Sequence, residues 1–189
     1  LPHMLPKPEA WTKIMSSLGI NNNDDILIYD NSDLKSSCRC WFSLLYFGHD
    51  EKKIHILNGG LKKWIFENKP ITKDATEIIE SNYVANEKEN LVVSFDQIKK
   101  NILSKSFNVI DARSLERFEG KVSEPRKGLR SGHIQNSFCL PFNQCINQKT
   151  GEFKNLEELR ELFNQYENIK KRLDPVFTCG SGVTAAVLA

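Results

Sequence analysis

One cysteine, set between a strand-like run and a pair of glycines, carries the strongest chemical signal in the chain: Pro175-Val-Phe-Thr-Cys179-Gly180-Ser181-Gly182-Val183-Thr184. A strand that turns into a helix through such a loop lets successive backbone N–H groups point inward as an anion-binding nest, and the glycines permit the turn. The start of the helix adds partial positive charge. A thiol held there titrates below its ordinary value of about 8.5 and spends more of its time as thiolate, the nucleophilic form. The same N–H groups can hold a terminal persulfide anion. The alternative is a small buried cysteine beside a glycine turn, which needs no chemistry. A phosphatase loop also places cysteine after a strand, but it needs an arginine six residues on to clamp a phosphate dianion, and that position is Ala185.

A second constellation lies upstream. Arg113, Arg117, Arg126 and Arg130 fall within the 18 residues from 113 to 130, interleaved with glycines and a proline, so several of them lie on loops. Loop arginines at this density suit a carboxylate substrate. Taken singly, each is better explained by solvation or by a local ion pair with Glu116, Glu119 or Glu124. His133 follows Gly132 in a turn leading into an apolar strand, where a histidine is more often structural than basic.

The elements that must position these groups alternate between helix and strand. Trp11, Ile14, Met15 and Leu18 recur at helical spacing before Gly19, and Asp25-Ile-Leu-Ile-Tyr29 reads as a buried strand. A helix after Asp33, a strand Ile54 to Leu57, the turn Asn58-Gly59-Gly60 and an amphipathic piece from Leu61 to Phe66 follow. Residues 72–90 are polar and weakly patterned and read as a linker. A second unit opens with Leu91-Val-Val93, and Ser94 with Gln97 makes a capping box before a helix from Phe95 to Leu103. A strand Asn108 to Asp111, a helix Asn155 to Tyr166 and the strand Pro175 to Thr178 complete it. The pattern predicts an α/β protein of two domains, each a parallel-sheet core flanked by helices, at 1–71 and 91–189. Residues 26–45 and 175–189 each read as strand, turn and helix, which implies duplication. The first copy has Asp30 where the second has Cys179.

Composition bounds the function. The 189 residues carry 26 basic and 24 acidic side chains spread along the chain, so no basic stripe for nucleic acid is visible. The richest apolar stretch, Trp41 to Phe47, is far shorter than the roughly 20 residues that cross a bilayer. Five cysteines form no dense framework and suit a reducing compartment, so a cytoplasmic protein is expected. Cys38 and Cys40 form a CxC with no further ligand pair nearby, which favours helix packing over metal. No metal and no cofactor is called for. The last helix stops at Ala189 without a termination signal, and both outer ends are expected to be cut inside a domain.

With these pieces in place, the chain resembles the tandem-domain 3-mercaptopyruvate sulfurtransferases of the rhodanese superfamily. The motifs that carry the likeness are LPHMLP at 1–6, NGGLKKW at 58–64, DAR at 111–113, RFEG at 117–120, EPRKGLRSGHI at 124–134 and CGSGVTAA at 179–186. The resemblance implies a catalytically silent first domain and a second domain in which Cys179 carries sulfur. By the same resemblance, Gly180, Ser181, Gly182, Val183 and Thr184 surround the persulfide, while Arg117 and Arg126 grip the carboxylate and carbonyl of mercaptopyruvate. His3 and Ser181 match two members of an Asp-His-Ser proton relay whose aspartate is expected upstream of Leu1. The implied partners are a small sulfur donor, mercaptopyruvate or thiosulfate, and a thiol acceptor such as a thioredoxin-like protein. Gly180 and Ser181 carry no charge, which favours mercaptopyruvate over the dianion thiosulfate.

Overall fold

The computed structural model describes residues 3–167 and 174–189, so Leu1 and Pro2 of the first motif lie outside the described residues. The chain divides into two compact units, Leu1–Val92 and Val93–Ala189.

In the first unit, helix α1 (Pro8–Ser17) starts with proline at the position where a missing N–H costs nothing, and it buries Trp11 and Met15. Strand β1 (Ile26–Ile28) leads to α2 (Ser36–Tyr46), then β2 (Ile54–Ile56) and α3 (Gly60–Phe66). The isoleucine-rich runs Ile-Leu-Ile and Ile-His-Ile pair in parallel with Ile26 beside Ile54 and Ile28 beside Ile56. Trp11 stacks on Phe47 at 4.9 Å between ring centroids, and Leu44 and Tyr83 close the core around them.

Tyr83 belongs to the polar segment 72–90 read above as a linker, and here the structure differs. The segment is irregular, but from Ser81 to Lys88 it is a strap on the first unit. Ser81 and Tyr83 donate backbone N–H to the carbonyl and hydroxyl of Ser16, Ala85 to the Thr12 hydroxyl, and Asn86 and Lys88 to the carbonyls of Phe47 and Tyr46. One buried aromatic and a row of backbone hydrogen bonds fix it, neither of which raises average hydrophobicity. The boundary between units falls between Val92 and Val93.

The second unit begins with the expected capping box. The Ser94 hydroxyl accepts from the Gln97 N–H, and the Gln97 side chain accepts from the Ser94 N–H. Helix α4 (Phe95–Ser104) is followed by β3 (Asn108–Asp111), a four-residue helix α5 (Leu115–Phe118), β4 (Phe138–Cys139), α6 (Leu156–Glu167) and β5 (Pro175–Thr178). The sheet has the order β4-β3-β5, all parallel. Asp111 ends the central strand directly beside Thr178, and the Ala112 N–H donates to the Thr178 carbonyl at 2.8 Å. The C-terminal edge of the sheet therefore brings the DAR motif and the cysteine loop together. Beyond the loop, a short 3-10 turn over Ala185–Val187 replaces the expected helix, and Ala185 to Leu188 are buried.

Candidate active site

Cys179 is the first residue past β5. Its Sγ accepts the N–H of Gly182 at 3.0 Å and that of Ser181 at 3.4 Å. Gly182 has φ +79°, a conformation that side chains disfavour and that this turn uses to bring its N–H onto the sulfur. Burial alone pushes the thiol up. The Thr184 hydroxyl and the N–H groups of Ser181, Ala185 and Gly182 outweigh that, and the Cys179 pKa lies below its ordinary value. The nest expected from sequence is thus made by N–H groups of the loop itself rather than by a long helix.

The other four cysteines behave oppositely. Burial raises Cys38, Cys139 and Cys145 to about 11 each, and raises Cys40 as well. Cys38 packs on α2 as a core residue. Among the described residues no group of three or more His, Cys, Asp or Glu side chains could hold a metal ion.

Two of the four arginines reach the loop. Arg126 Nη1 donates to the Gly180 carbonyl at 3.2 Å. Arg117, on α5, places Nη2 3.0 Å from where a Cβ on Gly180 would stand. Gly180 is outside the left-handed region, so its lack of a side chain serves this close approach. Arg113 does not reach the loop. It chelates Asp111 through Nε and Nη2, donates from Nη1 to Glu124 at 2.8 Å, and donates to the Gly132 carbonyl at 2.8 Å. Arg130 is exposed. His133 accepts its structural role: Nδ1 lies 2.8 Å from the Phe118 carbonyl and the ring stacks on Phe118 at 3.8 Å.

Glu124 is the residue whose importance sequence reasoning understated. Its carboxylate is 4% exposed, takes Nη1 of Arg113 on Oε1, and takes Nε and Nη2 of Arg117 at 3.1 and 2.6 Å. The Arg117 guanidinium holds it ionised below the usual carboxylate range. Its place in the run EPR, seven residues after Arg117, was the available signal.

Val183 and Thr184 continue the loop half-buried, and Ser181 contributes its N–H to the sulfur. His3, by contrast, sits in the first unit, where its carbonyl accepts from Arg39. That unit has Asp30 two residues past the end of β1. Asp30 Oδ2 accepts the Ser37 N–H at 2.6 Å and Oδ1 the Ser32 N–H at 3.4 Å, so a carboxylate closes this turn.

The model of the rhodanese-like domain family matches residues 2–67 and 94–189. The chain is 40% identical to thiosulfate/3-mercaptopyruvate sulfurtransferase 2 of Arabidopsis thaliana and 35% identical to the 3-mercaptopyruvate sulfurtransferase of Escherichia coli K12, in each case over 100% of its own length. It spans 60% and 65% of those proteins, less than two thirds of either. The crystal structure of the Escherichia coli 3-mercaptopyruvate sulfotransferase SseA matches with a TM-score of 0.86 at 33% identity, over 100% of this chain and 68% of that one.

Proposed function

The chain belongs to the rhodanese-like domain family, and on that premise we propose that its protein transfers sulfur from 3-mercaptopyruvate to a thiol or cyanide through a persulfide on Cys179. The observation that carries this reading is the contrast among the five thiols: burial raises four, and only Cys179 is lowered, by donors aimed at its sulfur.

The thiolate of Cys179 attacks the sulfur of mercaptopyruvate. An S–S bond forms as the C–S bond breaks, and the bonding pair leaves with carbon as the enolate of pyruvate. The proton of the substrate thiol ends on that carbon, so pyruvate departs and the outer sulfur remains as the persulfide anion. Arg117 and Arg126 hold the substrate carboxylate and carbonyl in register and offset the charge that develops on the enolate oxygen. The N–H groups of Ser181 and Gly182 that hold the thiolate are suited to the persulfide anion as well. An acceptor thiolate, from a small thiol or a thioredoxin-like protein, then attacks the outer sulfur and releases Cys179 as thiolate. On the family likeness, His3 and Ser181 are assigned to a proton relay.

Incubation of the full-length protein with mercaptopyruvate tests this. One added sulfur on Cys179 in the mass spectrum, with one equivalent of pyruvate released, is expected. A protein that docks partners without turnover would give neither.

A further inference from the structure

Arg117 can grip a substrate only if its own position is fixed, and an arginine on a four-residue helix at the mouth of a loop is not fixed by its backbone alone. The contacts that do fix it run back to the sheet. Asp111, 2% exposed at the end of the central strand, chelates Arg113. Arg113 Nη1 and Arg117 Nε share one oxygen of Glu124, and Arg117 Nη2 takes the other. Asp111 is also the register partner of Thr178, the residue before Cys179. The path from Asp111 through Arg113, Glu124 and Arg117 therefore returns to Gly180, and both of its ends meet the cysteine loop.

We propose that Glu124 is a positioning residue for sulfur transfer, acting through Arg117. Its two oxygens set the plane and distance of the Arg117 guanidinium and leave Nη1 without a protein partner among the described residues, free for the substrate carboxylate. Arg113 is a spacer in this scheme. Its Nε, Nη1 and Nη2 are all engaged, and its role is to hold Glu124 against the sheet. The charges of Asp111, Arg113, Glu124 and Arg117 sum to zero, so Glu124 directs the geometry of Arg117 and leaves the ladder neutral. This proposal rests on the reading of Arg117 as a substrate clamp.

The experiment is a double-variant cycle on the full-length protein. Glu124→Gln keeps one acceptor oxygen but turns an N–H2 group toward Arg117 Nη2, setting donor against donor. It should lower kcat/KM for mercaptopyruvate by ~10-fold, through KM and kcat together, because the misplaced guanidinium serves both the substrate carboxylate and the developing enolate charge. Loading of Cys179 from inorganic polysulfide, a donor without a carboxylate, should be unchanged. Adding Glu124→Gln to Arg117→Ala should cost no further activity, since the group it positions is already gone. Losses that multiply in the double variant, or a Glu124→Gln protein equal to the parent, would overturn the proposal. Glu124→Asp keeps the charge and should recover part of the loss if Glu124→Gln folds poorly. The clamp can also be read without turnover: the Arg117 Nε–H NMR signal should be sharp in the parent and exchange-broadened in Glu124→Gln. An unchanged signal would reject the clamp even if the parent proved inert to mercaptopyruvate, whereas an inert parent with the expected signal change would count against the functional reading alone.

Discussion

Arg126 donates from Nη1 to the carbonyl oxygen of Gly180 at 3.2 Å, across 54 positions of sequence. A loop cation thus meets the backbone of the residue that follows Cys179, and it has four further N–H donors in a planar fork suited to an anionic ligand. Arg117 approaches the same glycine from α5. The two arginines converge on one residue by different routes, Arg117 held by Glu124 and Arg126 by the loop.

Arg117→Ala and Arg126→Ala are each expected to lower kcat/KM for mercaptopyruvate by roughly 10- to 100-fold, because a hydrogen bond to a charged group is worth about 1.5–3 kcal/mol. Lys99→Ala, on the exposed face of α4, should have no effect. Steady-state kinetics decide it, and two arginine variants that match the parent would remove the clamp.

Cys179→Ser should fold as the parent does and take up no sulfur, since the side chains are close in size but serine is a poor sulfur acceptor. The thiol contrast supplies an independent check. With limiting iodoacetamide near neutral pH, peptide mapping should find Cys179 modified first, with Cys38 and Cys145 modified only on unfolding, as burial raises both to about 11. Early labelling spread over all five cysteines would contradict the lowered Cys179 pKa.

Much of this was legible in the residues. The capping box at Ser94 and Gln97, the strands at 26, 54, 108 and 175, and the cysteine loop all depend on short-range patterns, and short-range patterns survive in sequence. What was missed depends on tertiary partners. Residues 72–90 look like a linker because their anchors, the Ser16 carbonyl and hydroxyl and the Phe47 carbonyl, belong to distant elements. Helix α5 and strand β4 are too short for a period to register. Glu124 looks like any surface glutamate until Arg113 and Arg117 are seen to share it.

Thr184→Val removes the hydroxyl that, among the groups favouring the Cys179 thiolate, contributes most. Burial is unopposed to that extent, so the thiol pKa moves up. Below the new pKa a smaller fraction is thiolate, and the rate of alkylation falls at neutral pH but converges with the parent rate at alkaline pH. The pH profile of alkylation by iodoacetamide should shift to higher pH with its plateau little changed. A drop in the plateau with no shift would mean that Thr184 controls access to the sulfur rather than its ionisation.

Donor choice offers the last test, and the geometry alters how it must be run. Replacing Gly180 by Arg and Ser181 by Lys adds two positive charges beside Cys179, which should favour thiosulfate, a dianion, over mercaptopyruvate, a monoanion until its thiol ionises. Coulomb attraction at about 4 Å is worth roughly 4 kcal/mol at an effective dielectric of 20, and mobile side chains in solvent will realise a fraction of it. Backbone strain is not the concern at Gly180, which lies outside the left-handed region. The concern is Arg117: a Cβ at Gly180 stands 3.0 Å from its Nη2, so a new side chain there must push aside the guanidinium proposed to grip the carboxylate. Both effects push the same way, one by attracting thiosulfate and one by weakening mercaptopyruvate. Ser181→Lys alone separates them, because it adds charge without crowding Arg117, and Gly180→Ala crowds Arg117 without adding charge. The ratio of kcat/KM for the two donors should move toward thiosulfate in each single variant and furthest in the double. A ratio that moved in Gly180→Ala but not in Ser181→Lys would assign donor choice to the Arg117 clamp and not to the charge of the loop.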